Sequence, residues 1–456
     1  MAGADAPVRL GPALALLAGV VAIRLAIAAT TGIVDDEAYY WVWSTRPALG
    51  YFDHAPALAW WIAPGVALFG KTALGLRLVP VLLSTLALAA LLGRTARPAL
   101  LVGIGAALPL YALGGVLATP DLPLLAGWCL ALGGATSGGR GWWVAGLGLG
   151  LAGLGKLTGY GLLPLLILGA PREWRGWGAA ALIALGCWMP NLVWMTQHDW
   201  VSWRFQLDHG LGRTAPGGAG LLSFLGAQVG LVSPVMFGVF VVWWATAWRG
   251  DRVDRLCWWT SAPVFVWFSF ASTRSPAEAN WAATAYVGAA LGLTRAAAGW
   301  GRATWVGLGT ASALSLLGLV HVYRPLVGVA GDPVARLGAG RTLAASVEAW
   351  GVSPVYTSRY QEAAVIRWYT GLDAVALPGV DRPDQYDLWP TPWAARALFV
   401  RPFRSGPALS SDPFCADHGP PNVVTEAERV VAGEATGQRR WQVYEVTDCG
   451  PPARGP

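Results

Sequence analysis

The chain has 456 residues, is 55% hydrophobic and only 13% charged, and contains 27 Trp; its mean hydropathy is +0.46. Soluble domains carry roughly twice that charged fraction, so the composition excludes an ordinary soluble protein and reads as a mainly α, polytopic membrane protein. The net charge of +6 does not indicate a nucleic-acid partner, because the basic residues are nearly all Arg scattered singly between apolar runs, as in cytoplasmic loops under the positive-inside rule.

Apolar runs approaching the length of a membrane span fall near 10 to 31, 75 to 93, 98 to 118, 121 to 136, 141 to 155, 157 to 170, 176 to 196, 220 to 248, 256 to 271, 280 to 298 and 303 to 323, about 11 in all. The first is longer than the apolar core of a signal peptide and reads as a retained helix. Between it and the second lies a loop, about 32 to 74, that gathers Asp35, Asp36, Glu37, Asp53 and His54. Carboxylates cost several kcal/mol at the centre of a bilayer, so this cluster belongs at the water interface or in a wet cavity. The aromatic run Tyr39, Tyr40, Trp41 and Trp43 favours the interface, and Glu37 to Ala48 reads as an amphipathic helix lying flat on it. Ala57 to Phe69 is apolar but short and interrupted by Pro64.

Arg9, Arg94, Arg97, Arg140, Arg172, Arg175, Arg249, Arg252, Arg255, Arg295 and Arg302 fall in alternate loops of this scheme, which makes those loops cytoplasmic. The opposite loops then hold the acidic cluster, Asp121, Lys156, residues 197 to 218 and residues 272 to 280. Two phosphate-loop look-alikes, Gly148–Gly150–Gly153 and Gly150 to Lys156, lack a preceding strand, and Leu157 stands where Ser or Thr is required. Their glycines read as helix-packing positions.

Lys156 is one of two lysines, with Lys71, and interrupts an apolar run. It reads either as a snorkelling side chain or as an ammonium that holds a lipid phosphate. Asp121 either complements a helix N-terminus or takes part in chemistry. Arg24, inside the first span, either snorkels or pairs with an acid or a phosphate. Glu278 and Asn280 flank the start of a span and are candidates for binding a sugar or phosphate, with Arg274 as an anion contact. Asp53, His54, His198, Asp199, Asp208 and His209 would supply ligands for a divalent metal if their loops meet, although their spacing matches no compact metal motif.

Beyond Arg324 and Pro325 the composition becomes that of a soluble α/β region. It predicts helices at Pro333 to Trp350 and Tyr360 to Tyr369, and strands at Val355 to Thr357, Ala374 to Leu377, Ala397 to Arg401 and Trp441 to Val446. Cys129, Cys187 and Cys257 lie in apolar spans and read as small hydrophobes. Cys415 and Cys449 are disulfide candidates if this region is extracytoplasmic.

The segments DDEAYYWVWS, LGYFDHAPALAWW, TPDLP, GLGKLTGY, PNLVWMTQHDWVSWRFQ, EANW and DQYDLW together resemble the bacterial glycosyltransferase family 39 group, relatives of protein O-mannosyltransferases and lipid A aminoarabinose transferases. The resemblance implies a GT-C fold, with a transmembrane domain over 1–325 and a small extracytoplasmic α/β domain over 326–456. It also implies a polyprenyl-phosphate sugar donor, inversion at the anomeric carbon, and a lipid, glycan or protein acceptor at the outer face of the bacterial inner membrane. Asp36 and Glu37 match the family's Asp-Glu pair, which makes Asp36 the candidate general base; Asp121 matches a second acid and Lys156 a basic residue after the central spans. Asp53 and His54 fall where aminoarabinose transferases have an acid followed by Lys, and the His leaves open phosphate handling or metal ligation, with His198 and His209 as further ligands. Relatives commonly read EPNW where this chain has Glu278, Ala279, Asn280 and Trp281. The rival expectation is a transporter or lipid flippase, whose ionisable groups would lie near the midplane on broken helices.

Overall fold

The structure, a computed structural model, describes residues 10–212, 217–296, 301–327, 332–403, 414–431 and 434–451. The chain forms two compact units: Met1–Ala29, Ala48–Gly70 and Leu74–Leu319 make the first, and Thr30–Pro47, Lys71–Ala73 and Val320–Pro456 the second. A single cut at 325 does not reproduce this division, since most of the acidic stretch after the first span groups with the C-terminal region.

The first unit is helical. In chain order, and counting the helices of both units, the chain has α1 (Leu10–Thr30), α2 (Asp35–Ser44), α3 (Ala57–Phe69), α4 (Ala73–Leu86), α5 (Ala89–Leu92), α6 (Pro98–Ala107), α7 (Pro109–Ala112), α8 (Asp121–Ser137), α9 (Gly141–Gly155), α10 (Leu162–Gly169), α11 (Trp174–Gln197), α12 (Val201–Leu211), α13 (Gly217–Val232), α14 (Pro234–Thr246), α15 (Arg252–Trp259), α16 (Ala262–Ala271), α17 (Ala285–Arg295), α18 (Gly301–Tyr323), α19 (Arg341–Ala349) and α20 (Tyr360–Thr370). All eleven apolar runs read from the sequence are helical over most of their length. Among the described residues, four helices are long and apolar enough to cross a membrane unaided: Leu10–Thr30, Ala73–Leu92, Trp174–Gln197 and Gly301–Tyr323. Two bent pairs, broken by 78° before Pro109 and by 109° before Pro234, raise the number to six. The other runs are shorter helices, because Pro and Gly interrupt them; proline removes a backbone donor and crowds the preceding turn.

Helices α8 and α9 form an antiparallel hairpin whose contact surface is glycine. A Cβ on Gly148 would lie 2.3 Å from the Ala131 nitrogen, and one on Gly127 2.3 Å from the Ala152 nitrogen. The backbones therefore touch, as small residues allow in membrane helices. The glycines that imitate a phosphate loop are packing positions.

The second unit is built on a six-stranded sheet. Its strands are β1 (Val355–Thr357), β2 (Ala374–Ala376), β3 (Arg396–Pro402), β4 (Cys415–His418), β5 (Asn422–Val431) and β6 (Glu434–Cys449), in the order β2-β1-β3-β6-β4 with β5 also on β6. β1 runs parallel to both β2 and β3; the pairings of β6 are antiparallel. β4 and β5 were not apparent from the sequence. Cys415 faces Cys449 across the β4–β6 ladder, and the two form a disulfide.

One expectation for this unit changes. The stretch from Pro333 to Trp350 is a short 3-10 turn (Pro333–Arg336) and then α19, divided where Gly338 and Gly340 take φ of 77° and 84°, values that favour glycine. The aromatic helix after the first span packs one of its faces inside this unit. α2 buries Glu37, Ala38, Tyr39, Val42 and Trp43; the Tyr39 ring lies 4.3 Å from that of Tyr360 on α20, and its hydroxyl accepts from the Gln385 N–H at 2.7 Å. Apolar and aromatic partners within the unit bury one face of α2.

Candidate functional site

Asp121, Lys156 and Asn280 converge within the first unit. TPDLP starts α8 with Pro120 and Asp121, while α9 ends at Lys156, whose extended backbone (φ −150°, ψ 147°) breaks the helix before a 3-10 turn. Since α8 and α9 are antiparallel, the start of one lies beside the end of the other. Lys156 Nζ donates to Asp121 Oδ1 at 2.9 Å, and Asn280 Nδ2 donates to Asp121 Oδ2 at 2.6 Å. The ion-paired side chains are only 11% and 13% exposed, so both carboxylate oxygens hold donors away from bulk water. The ammonium carries three donor hydrogens, leaving it capacity beyond Asp121.

That capacity faces a cavity. Lys156 lines a space of about 490 Å³ whose walls include Trp128, Tyr160, Trp203, Phe268 and Trp281. One cation in a largely apolar, aromatic wall suits a ligand with a negatively charged head and a hydrocarbon body.

A second constellation lies within the second unit. Arg336 donates through Nη2 to Asp35 and, at 3.1 Å, to Asp36 Oδ2. The Tyr360 hydroxyl donates to Asp36 Oδ1 at 3.2 Å, and Arg439 Nη1 lies 3.7 Å from Asp35 Oδ2. The Asp36 side chain keeps 32% exposure, against 10% for Asp35. Burial, and then the neighbouring Asp35 charge, push the Asp36 carboxyl above its ordinary range, while Arg336 and Tyr360 oppose the rise. Glu362, on the same helix as Tyr360, accepts from Trp441 Nε1 at 3.2 Å; its Oε2 has no hydrogen-bond partner among the described residues. Burial pushes it up to about 7, with Asp35 contributing in the same direction.

The remaining sequence candidates have other settings. Glu37 is fully buried and accepts from the Val34 N–H at 3.0 Å, closing the first turn of its own helix. Arg24 donates to Thr85 Oγ1 (2.8 Å), the Tyr111 carbonyl (2.7 Å) and the Gly105 carbonyl (3.4 Å). The Gly105 carbonyl would ordinarily accept from the residue four positions on, which is Pro109 and has no N–H. Arg24 thus supplies a donor at the break between α6 and α7. Arg274 sits 5.5 Å from the centre of the Phe270 ring, and Glu278 is exposed.

The loops carrying Asp53, His54, His198 and His209 do meet in part, since Gln206 donates to the Asp53 carbonyl at 2.8 Å and Ser202 to the Tyr51 carbonyl at 2.7 Å. They do not assemble a metal centre. Among the described residues no group of three or more His, Cys, Asp or Glu side chains is placed to hold a metal ion. His198 hydrogen-bonds the Trp194 carbonyl through Nδ1 and stacks on that indole at 4.0 Å, and His209 stacks on Phe205. Two of the histidines that the sequence offered for a metal stack on aromatic rings instead, and the described residues do not fit a metal centre.

Arg336, Tyr360, Arg439 and Glu362 were missed from the sequence. No spacing rule links Arg336 to Asp36 across 300 residues, and the soluble region contains many arginines. The one available signal was the excess of acid in DDE, which calls for a cation from elsewhere.

Comparison with known proteins agrees with this architecture. Residues 53–194 match the family described as dolichyl-phosphate-mannose-protein mannosyltransferase. The chain is 35% identical over 284 residues to a lipid A galacturonosyltransferase, RgtD, of Rhizobium johnstonii, a match covering 56% of this chain and 59% of that relative's length. ArnT from Cupriavidus metallidurans, solved bound to undecaprenyl phosphate, superposes with a TM-score of 0.65 over 97% of this chain and 99% of ArnT at 15% identity. Its apo form gives 0.62 over 85% and 92% at 16% identity. The fold is that of ArnT, the GT-C architecture expected from the sequence.

Proposed function

We propose that this multi-pass membrane protein of the GT-C fold is a glycosyltransferase that moves one sugar, with inversion, from a polyprenyl-phosphate carrier to a lipid acceptor. The observation that carries the reading is Lys156, paired with Asp121, which also accepts from Asn280, at the wall of an aromatic-lined cavity. A phosphate with a long hydrocarbon tail has the chemistry that this wall complements. The mannosyltransferase family match, the relative named for lipid A galacturonosyl transfer, and an ArnT fold described with undecaprenyl phosphate support donor and acceptor class.

In this mechanism the acceptor hydroxyl gives its proton to the Asp36 carboxylate as its oxygen bonds to the anomeric carbon. The bond from that carbon to the phosphate oxygen breaks, and polyprenyl phosphate leaves with the electron pair. The leaving group is already a good one, so the protein needs no acid to protonate it, unlike a glycosidase. Lys156 offsets the charge that grows on the leaving oxygen, and Asp121, itself held by Asn280, keeps the ammonium in place. No step is routed through a metal.

The proposed orientation places the acidic loop and the C-terminal unit outside the cytoplasm, in the bacterial inner membrane. The alternate-loop pattern of Arg and the Cys415–Cys449 disulfide, a bond of oxidising compartments, support it.

The test is release of polyprenyl phosphate by purified protein in nanodiscs from a panel of undecaprenyl-phosphate sugars, galacturonic acid included, with lipid A as acceptor. Asp36→Asn and Lys156→Met run alongside, and the wild type is repeated with EDTA. Donor consumption that Asp36→Asn abolishes, at a rate EDTA leaves unchanged, is the expected result. An untouched panel, with lipid instead crossing reconstituted vesicles, would replace this reading by a flippase.

A further inference from the structure

The candidate base stands on the helix after the first span, yet the groups that touch its carboxylate come from the far end of the chain. Arg336 reaches Asp36 Oδ2 and Tyr360 reaches Asp36 Oδ1, so among the described residues each oxygen holds one side-chain donor, and a carboxylate oxygen can accept a second. A carboxylate fixed at both oxygens is one whose rotamer is set before substrate arrives.

We infer that Arg336 and Tyr360 are positioning residues for Asp36, so that the C-terminal unit completes the catalytic carboxylate in addition to any part it has in selecting the acceptor. This rests on the reading of Asp36 as the base.

The groups around Asp36 divide by sign. Asp35, beside it on α2, repels its charge. Arg336 attracts it while also binding Asp35, and Arg439 from β6 faces Asp35. Tyr360 from α20 donates to it, with the Arg382 guanidinium 4.6 Å from the centre of the Tyr360 ring. Glu362, also on α20, lies where the Asp35 charge is felt. Removing these contacts has opposite consequences according to their sign. Loss of the Tyr360 hydroxyl or the Arg336 guanidinium removes an interaction that favours the ionised form of Asp36, so proton loss requires a higher pH. Loss of the Asp35 charge removes a repulsion, so Asp36 ionises at a lower pH.

The experiment measures kcat against pH for full-length protein in nanodiscs, with the panel's best undecaprenyl-phosphate sugar and lipid A. Tyr360→Phe is expected to move the acidic limb upward by several tenths of a pH unit. Arg336→Ala should move it by about one unit or more, with Arg336→Lys recovering part of the shift. Asp35→Asn should move it downward. KM for the donor stays within about twofold throughout, since uniform binding is not what these residues supply. Gel filtration and thermal melting confirm that each variant is folded, and Tyr360→Phe, which removes one oxygen, keeps the test alive if Arg336→Ala fails to fold.

Limbs that superimpose across Tyr360→Phe, Arg336→Lys and Asp35→Asn, while Asp36→Asn is dead, overturn this inference and leave the base assignment standing. Wild-type turnover by Asp36→Asn overturns the base assignment, and the inference falls with it. A merely structural role for Arg336 and Tyr360 would lower activity without moving the limbs in opposite directions.

Discussion

The two carboxylate centres are balanced in different ways. In the first unit a single acid, Asp121, meets one ammonium and one amide, so its charge is matched and both oxygens are held by side chains from other parts of the helical unit. In the second, Asp35 and Asp36 share the Arg336 guanidinium, with a tyrosine hydroxyl and a more distant arginine completing the set. The matched centre suits a fixed clamp. The acid-rich centre leaves one carboxylate that can take a proton, because burial and then its neighbour's charge make protonation easier.

The sharpest way to break this contrast is Asp36→Asn. If Asp36 is the proton acceptor, transfer should fall by about 10²–10⁴-fold with unchanged melting, measured as released polyprenyl phosphate. A comparable loss in Asp121→Asn that tracked pH in the same way would erase the distinction between base and clamp. Lys156→Met is next. It strands a buried carboxylate, which typically destabilises by about 3–5 kcal/mol, and the double variant Lys156→Met/Asp121→Asn should regain much of that in thermal or denaturant unfolding. A double variant no more stable than the single would show that the pair is not coupled.

Glu362→Gln sharpens the comparison from the second unit. Its folded-state value of about 7 lies above the ordinary 4.5, so between those values the folded state holds a proton that the unfolded chain has lost. Stability from this group is therefore fully present below about pH 4.5 and is lost as pH rises toward 7, in total on the order of 3 kcal/mol. The Gln variant should melt with the wild type below about pH 4 and higher than it at about pH 8. Equal melting at pH 8 would show that Glu362 is ionised without cost. The smallest effect expected is from Asn280→Ala, which removes one hydrogen bond to a charged oxygen, about 2 kcal/mol, and should raise the donor KM more than it lowers kcat.

What could be read from the sequence follows from where charge is scarce. Asp121, Lys156 and Asn280 stand at the ends of apolar spans, where a polar side chain needs a reason, and the structure places all three in one contact set. Arg336 and Tyr360 sit in a region of ordinary soluble composition, and their partner is 300 and 324 residues away. A helix was expected at Glu37 to Ala48 and lies at Asp35–Ser44; its packing on α20 was not legible, because Tyr39, Val42 and Trp43 would serve equally well against a bilayer or against protein. The role of Arg24 turned on Pro109, a backbone donor missing from a different helix. Strands β4 and β5 escaped notice because each finds its place only by pairing with β6.

The glycine contact between α8 and α9 bears on which mutations this protein can absorb. One methyl group at Gly127 or Gly148 would force two backbones apart, and those backbones end at Asp121 and Lys156. Any parting would appear first as a stretched ion pair, at a distance from the substitution and without touching a charged side chain. The residues with no side chain at all set the tolerance to which the clamp is machined, and a survey that looked only for lost functional groups would score their replacement as harmless.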